Sequence, residues 1–202
     1  TKGNEGSMAV INFDFAGWQY EQAIETLRIG FVEAISTLER QIAGKRDEIM
    51  HYEESVKNGG DPIGEWDEDG AMLWDQSQLL EFEATTLESA CMSLRKAMVI
   101  QLYHLWERAV RVAVKGKSSD DHKALVAKLA EAGCIVHSQL DAVQHLVNTL
   151  KHGSGRSGNK LLSSWPELVI TTIRFSDWYE RIALSDDHVG KVAEIVAASY
   201  PR

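Results

Sequence analysis

Between Trp18 and Asn58 the chain contains no proline and only two glycines, and from Ala71 it runs to Gly116 with neither residue in between. Proline and interior glycine are the residues that most often break a helix, and strands seldom exceed about ten residues, so two such stretches predict two long helices. In the first, Ile24, Leu27, Phe31, Ala34, Ile35 and Leu38 recur at intervals of three and four, the spacing of an amphipathic helix. Asn58-Gly59-Gly60-Asp61-Pro62 ends it. Residues 61–69 read as an acidic loop containing Trp66, and the second helix is expected to begin near Ala71.

Shorter elements follow. Ser118, Ser119 and Asp120 are N-cap candidates for a third helix through Ala132, which Gly133 stops. A fourth helix is expected from about Ile135 to His152. The Gly153–Gly158 run, with three glycines and two serines, reads as a flexible loop. Leu168 to Phe175 is β-branched and predicts a short extended segment near the C-terminus, and Ser185-Asp186-Asp187 caps a last helix through Ala198. The expected fold is all-α: an up-and-down helical bundle with two long antiparallel helices as its spine.

Composition removes several classes. No apolar run approaches the roughly 20 residues that cross a bilayer, so no membrane partner is expected. Two cysteines, Cys91 and Cys134, make neither a disulfide framework nor a four-cysteine zinc site. Asp141 and His145 form a four-spaced pair on the fourth helix, but no recognised ligand set is completed around them, so neither a metal nor a cofactor is expected. These features suggest a reduced, cytoplasmic protein. Thr1 to Ser7 reads as a vector remnant ahead of one domain over residues 8–202. The net charge of −9 is uneven: residues 1–90 hold 19 acids and 6 bases, residues 91–202 hold 11 acids and 15 bases. The second half is therefore compatible with a phosphate-bearing partner.

Chemistry concentrates on two helices. On the fourth, Val136, Leu140, Val143, Val147 and Leu150 form a core stripe, bordered by a second stripe of His137, Asp141, His145, Asn148 and His152. On the second, Gln101, His104, Glu107, Arg108 and Arg111 share a polar strip on an otherwise apolar rod. Facing each other, the two edges would offer Glu107, Arg108, Arg111, Asn148 and His152 to one cavity, where an imidazole could move protons and a guanidinium could hold a phosphate. Lys151, Arg156 and His145 stand beside them as candidates for substrate binding. Helix capping by Lys151-His152-Gly153 and a helix pair of Glu107 with Arg111 are the plainer readings of the same residues.

Leu105-Trp106-Glu107-Arg108-Ala109-Val110, followed about 40 residues later by Asn148-Thr149-Leu150-Lys151-His152-Gly153, resembles the HEPN superfamily (higher eukaryotes and prokaryotes nucleotide-binding domains) over roughly residues 70–155. The resemblance implies a helical bundle, usually a homodimer, and in many members a metal-independent endoribonuclease of toxin–antitoxin or phage-defence systems. Asn148 and His152 match the motif's polar residue and histidine, and Glu107 matches its acidic position. The motif arginine has no counterpart: His145, Leu146 and Val147 stand where it would fall. On the nuclease reading His152 is the general acid or base, Arg108 or Arg111 holds the phosphate, Asn148 and Glu107 orient His152 and the 2′-hydroxyl, and RNA and an antitoxin-like protein are the partners. The alternative is an inactive HEPN-like dimerisation or regulatory module, whose polar stripe is a pairing interface. A third reading has the His/Asp/Asn face holding a nucleotide.

Overall fold

The computed structural model describes residues 14–153, 155–172 and 177–201; the expected vector remnant lies outside them. Helix α1 spans Phe15–Lys57, and its cap is Asp14, whose carboxylate accepts the Gly17 N–H at 2.9 Å. Helix α2 spans Gln76–Ala113. The two run antiparallel, since Glu39 of α1 pairs with Arg95 of α2 while Lys45 and Arg46, further along α1, pair with Glu83 and Glu88, earlier on α2. This is the all-α bundle with two long helices that the breaker-free stretches predict.

Their connection is not the simple acidic loop of the sequence reading. Strands β1 (Gly64–Trp66) and β2 (Met72–Asp75) form a small antiparallel hairpin. Asp67 closes its turn by accepting the N–H groups of Asp69 and Ala71 at 3.0 and 2.7 Å. The second helix consequently starts at Gln76 rather than near Ala71. Asp75 and Gln78 form a reciprocal capping box there, which holds the preceding residues extended.

Around the C-terminal half of α2 the remaining elements close a core. Helix α3 is His122–Glu131, capped by Asp121 rather than by Ser118, Ser119 or Asp120; Asp120 instead accepts from the Lys117 N–H and pairs with Lys128. Helix α4 is Leu140–His152, shorter than expected because residues 135–139 turn, with His137 N–H donating to Ser199 Oγ. Helix α5 is Gly155–Ser164, a correction to the flexible loop expected over Gly153–Gly158. Gly158 permits it: a Cβ there would lie 2.1 Å from the Trp178 ring, so the absence of a side chain lets the indole pack on the helix. The extended segment expected from Leu168 reduces to a 3-10 turn at Pro166–Leu168 and a single bridge between Val169 and Ile182; residues 173–176 lie outside the described chain. Helix α6 is Asp186–Ala198, with Ser185 and His188 as its capping box.

Trp106 is the centre of this core, fully buried, with its indole N–H donating to the Ser199 carbonyl at 3.0 Å. Val99, Leu102 and Val110 of α2 meet Leu125 and Leu129 of α3, Val143 and Leu146 of α4, and Val192 and Val196 of α6. Among the described residues no helix is long and apolar enough to cross a membrane.

Candidate functional site

Two anchors fix how α4 lies along α2. At its start, Asp141 accepts from His122 Nε2 at 2.8 Å, and His122 Nδ1 meets the Tyr103 hydroxyl at 2.9 Å. Near its end, His152 shares a cleft with Tyr179, whose carbonyl accepts from Lys96 Nζ at 2.9 Å. Helix α4 therefore runs back along α2, from the level of Tyr103 toward that of Lys96. Glu107, Arg108 and Arg111 are 11 to 15 residues further along α2 than Lys96, roughly 16–22 Å at the helical rise. Within one chain, the five residues expected to share a cavity do not: His152 lines one cleft, Arg108 and Arg111 line another, and Glu107 and Asn148 line neither.

The first cleft, about 540 Å³, opens at the C-terminus of α4 and is lined by Leu150, Lys151, His152, Gly153, Asp177 and Tyr179. Gly153 ends the helix in the left-handed region (φ 57°), and a Cβ there would meet Asp177 Oδ1 at 2.9 Å. His152 and Lys151 are exposed, and among the described residues the His152 imidazole makes no side-chain hydrogen bond or ion pair. Behind the cleft sits a residue the sequence reading passed over. Lys96 is 4% exposed, and its ammonium lies 3.8 Å over the Tyr179 ring. Burial holds its pKa below the ordinary lysine value, against the opposing pull of Glu180 and Asp177. A lysine on the core stripe of a long helix is the one signal that could have singled it out.

Asn148 is half-buried on the same face of α4. His145, one turn back, has its pKa lowered, first by burial and then by Lys160, with Asp141 pulling the other way. Arg156 is exposed on α5, beyond Gly153.

The second cleft, about 530 Å³, is lined by Arg108, Arg111, Val112, Lys115 and Gly116 at the C-terminal end of α2. Glu107 is engaged by His104 Nδ1 at 3.0 Å and lies 3.8 Å from Arg111 Nη2. Arg111 also donates from Nη2 to the Asp120 carbonyl at 3.0 Å, while its Nε is buried without a partner among the described residues. The plain reading of Glu107 and Arg111 as a helix pair is thus realised.

Tyr103, His122 and Asp141 form a third polar constellation, a hydroxyl–imidazole–carboxylate chain. Tyr103 and His122 are buried while the Asp141 side chain is 78% exposed, so this chain runs from the core to the surface, ties α2, α3 and α4 together and lines neither cleft. His122 lay outside both polar strips read from sequence, because it follows an N-cap aspartate, a position that gives no periodic signal. Among the described residues no three His, Cys, Asp or Glu side chains converge as a metal site would require. Comparison of the chain with protein-family models, with curated proteins and with solved structures gives no match in any of the three.

Proposed function

We propose that the chain is an HEPN-like dimerisation or regulatory module that works by binding, without a complete ribonuclease centre in the single protomer. One observation carries this reading: His152 lines one cleft, and Arg108 and Arg111 line another, the two arginines roughly 18–22 Å along α2 from the level of the first. General acid–base cleavage of RNA needs the imidazole within hydrogen-bond reach of the 2′-hydroxyl or leaving oxygen and a cation on the same phosphate. The absence of an arginine at positions 145–147 points the same way. The half-buried Asn148 and exposed His152 then serve as polar contacts to a second copy or to a protein partner of a toxin or phage-defence system.

A second reading, metal-independent endoribonuclease, is favoured by the exposed imidazole of His152 with Lys151 beside it, on the premise that a partner protomer supplies the arginine. One assay separates them. Single-stranded RNA and tRNA are incubated with wild type and His152→Ala in EDTA, and the products are tested for 2′,3′-cyclic phosphate. The module reading expects no His152-dependent cleavage, together with dissociation of Asn148→Leu or His152→Leu in light scattering. EDTA-resistant cleavage that His152→Ala abolishes would overturn it in favour of the nuclease.

A further inference from the structure

Exposed apolar side chains gather at the far end of the arm formed by α1 and α2. Ile63, just before β1, Trp66 of β1, Met72 and Leu73 of β2, and Leu79 and Phe82 of α2 are between 40% and 72% exposed. Trp66 and Met72 are cross-strand partners and share one face of the hairpin, and Leu79 and Phe82, three residues apart, share one face of α2. The hairpin that displays them is tied down. The Tyr52 hydroxyl of α1 accepts the Ile63 N–H at 3.0 Å and donates to its carbonyl at 3.2 Å, and the Trp74 indole N–H donates to Glu65 at 3.1 Å. An ordered apolar patch that the fold leaves in water marks a contact surface.

The charge around the patch selects its partner. Residues 47–83 hold twelve acids and one lysine. Glu48 and Glu83 share Lys45, and the other ten acids have no ion-pair partner among the described residues. Such a tip repels nucleic acid, an anionic lipid surface and a second tip alike. A surface of the opposite sign stands at the other end of the same helix. Residues 108–117 hold Arg108, Arg111, Lys115 and Lys117 and no acid, and the first three of these line the second cleft beside Val112, which is 80% exposed. Among the described residues only Arg111 of these four cations has a carboxylate partner. Phe82 and Val112 are thirty residues apart on α2, about 45 Å, so one chain cannot bring the two surfaces together within itself.

We propose that copies of this chain assemble head to tail, the apolar, acidic arm tip of one seating on the cationic Val112 cleft of the next. Tip and cleft are different surfaces, so the contact is heterologous, and each added copy leaves one tip and one cleft open. The exposed apolar side chains supply the area removed from water, while the opposed charges set the orientation and exclude tip against tip. The proposal goes beyond the function above and uses neither His152 nor Asn148, so its failure and the failure of that reading are told apart.

The test is sedimentation velocity of the full chain across a wide concentration range. The average mass should rise past that of a dimer with concentration, and the contact should weaken about tenfold when salt is raised from about 0.05 to about 0.5 M. Leu73→Lys with Phe82→Lys removes the tip, and Arg108→Glu with Val112→Glu removes the cleft. All four positions are exposed, so the thermal transition of each variant should stay in place. Neither variant alone should grow past a dimer, whereas their equal mixture should form a species heavier than either, because each keeps the surface the other lacks. A mass that does not rise with concentration, assembly that salt or the substitutions leave unchanged, or a mixture no heavier than its components would overturn the proposal. So would an assembly that stops at a dimer and that only His152→Leu dissociates, a result that leaves the module reading in place.

Discussion

Helix α2 passes through two environments, and its two halves teach different lessons. Its C-terminal half is enclosed: Val99, Leu102, Trp106 and Val110 are fully buried under α3, α4 and α6. Its N-terminal half packs on α1 and the hairpin, with Leu80, Ala84 and Cys91 as its buried apolar residues, while Leu79 and Phe82 face solvent at 45% and 72% exposure. Exposed ion pairs such as Lys45–Glu83 lace this arm, whereas hydrogen bonds from buried groups such as the Trp106 indole tie the body. One continuous backbone thus spans a region whose apolar face is buried under three helices and another held by a single helix–helix seam and a hairpin. Hydrophobic burial scales with the apolar area removed from water, so the arm must be the less stable end of the same rod.

The sharpest way to break this comparison is Trp106→Ala. It opens a cavity at the centre of the body and orphans the Ser199 carbonyl, and should cost about 3–5 kcal/mol in denaturant unfolding; a loss comparable to that of an arm substitution would refute the contrast. Leu80→Ala should cost about 2 kcal/mol, and its signature is local, with faster amide exchange confined to the arm and hairpin. His122→Ala leaves the buried Tyr103 hydroxyl without its partner and should lower stability by about 1–3 kcal/mol, read in the same unfolding assay. His145 tests the body through pH. Its folded pKa is lowered from 6.5, so the unfolded chain binds the proton more readily, and the folded state loses stability as pH falls below about 6.5 toward the lowered value. Stability–pH curves of His145→Gln should be flatter than wild type over that window. The smallest effect belongs to the arm: removing the exposed Lys45 ammonium should leave the unfolding midpoint unchanged within error.

The same contrast explains which parts of the chain were legible beforehand. Periodicity reports burial on one face, so Ile24, Phe31 and Ile35, and likewise Val143, Val147 and Leu150, could be assigned to the core before any coordinates. The hairpin between the long helices was not legible, because Met72-Leu73-Trp74 suits a helix and a strand equally over so short a run. Helix α5 was hidden by its glycines, whose lack of side chain serves contact with Trp178 rather than chain freedom. Of the candidate site residues, Glu107, Arg108 and Arg111 lie on α2 and Asp141, His145, Asn148 and His152 on α4, whereas His137 of the expected stripe precedes α4, and the two groups sit at different levels. A helical wheel carries angle but no axial offset between helices, so it could not separate the His152 cleft from that of Arg108 and Arg111.

What the sequence determined by itself was the set of rods: where breakers are missing, which face of each long rod is apolar, and the cap of α6 at Ser185. These follow from interactions among residues a few positions apart, which a linear pattern records in full. Only the tertiary structure decided the antiparallel slide of α4 along α2 and the burial of Lys96 against Tyr179. Those arise from side chains distant in sequence competing to fill one core, and no local spacing encodes the outcome.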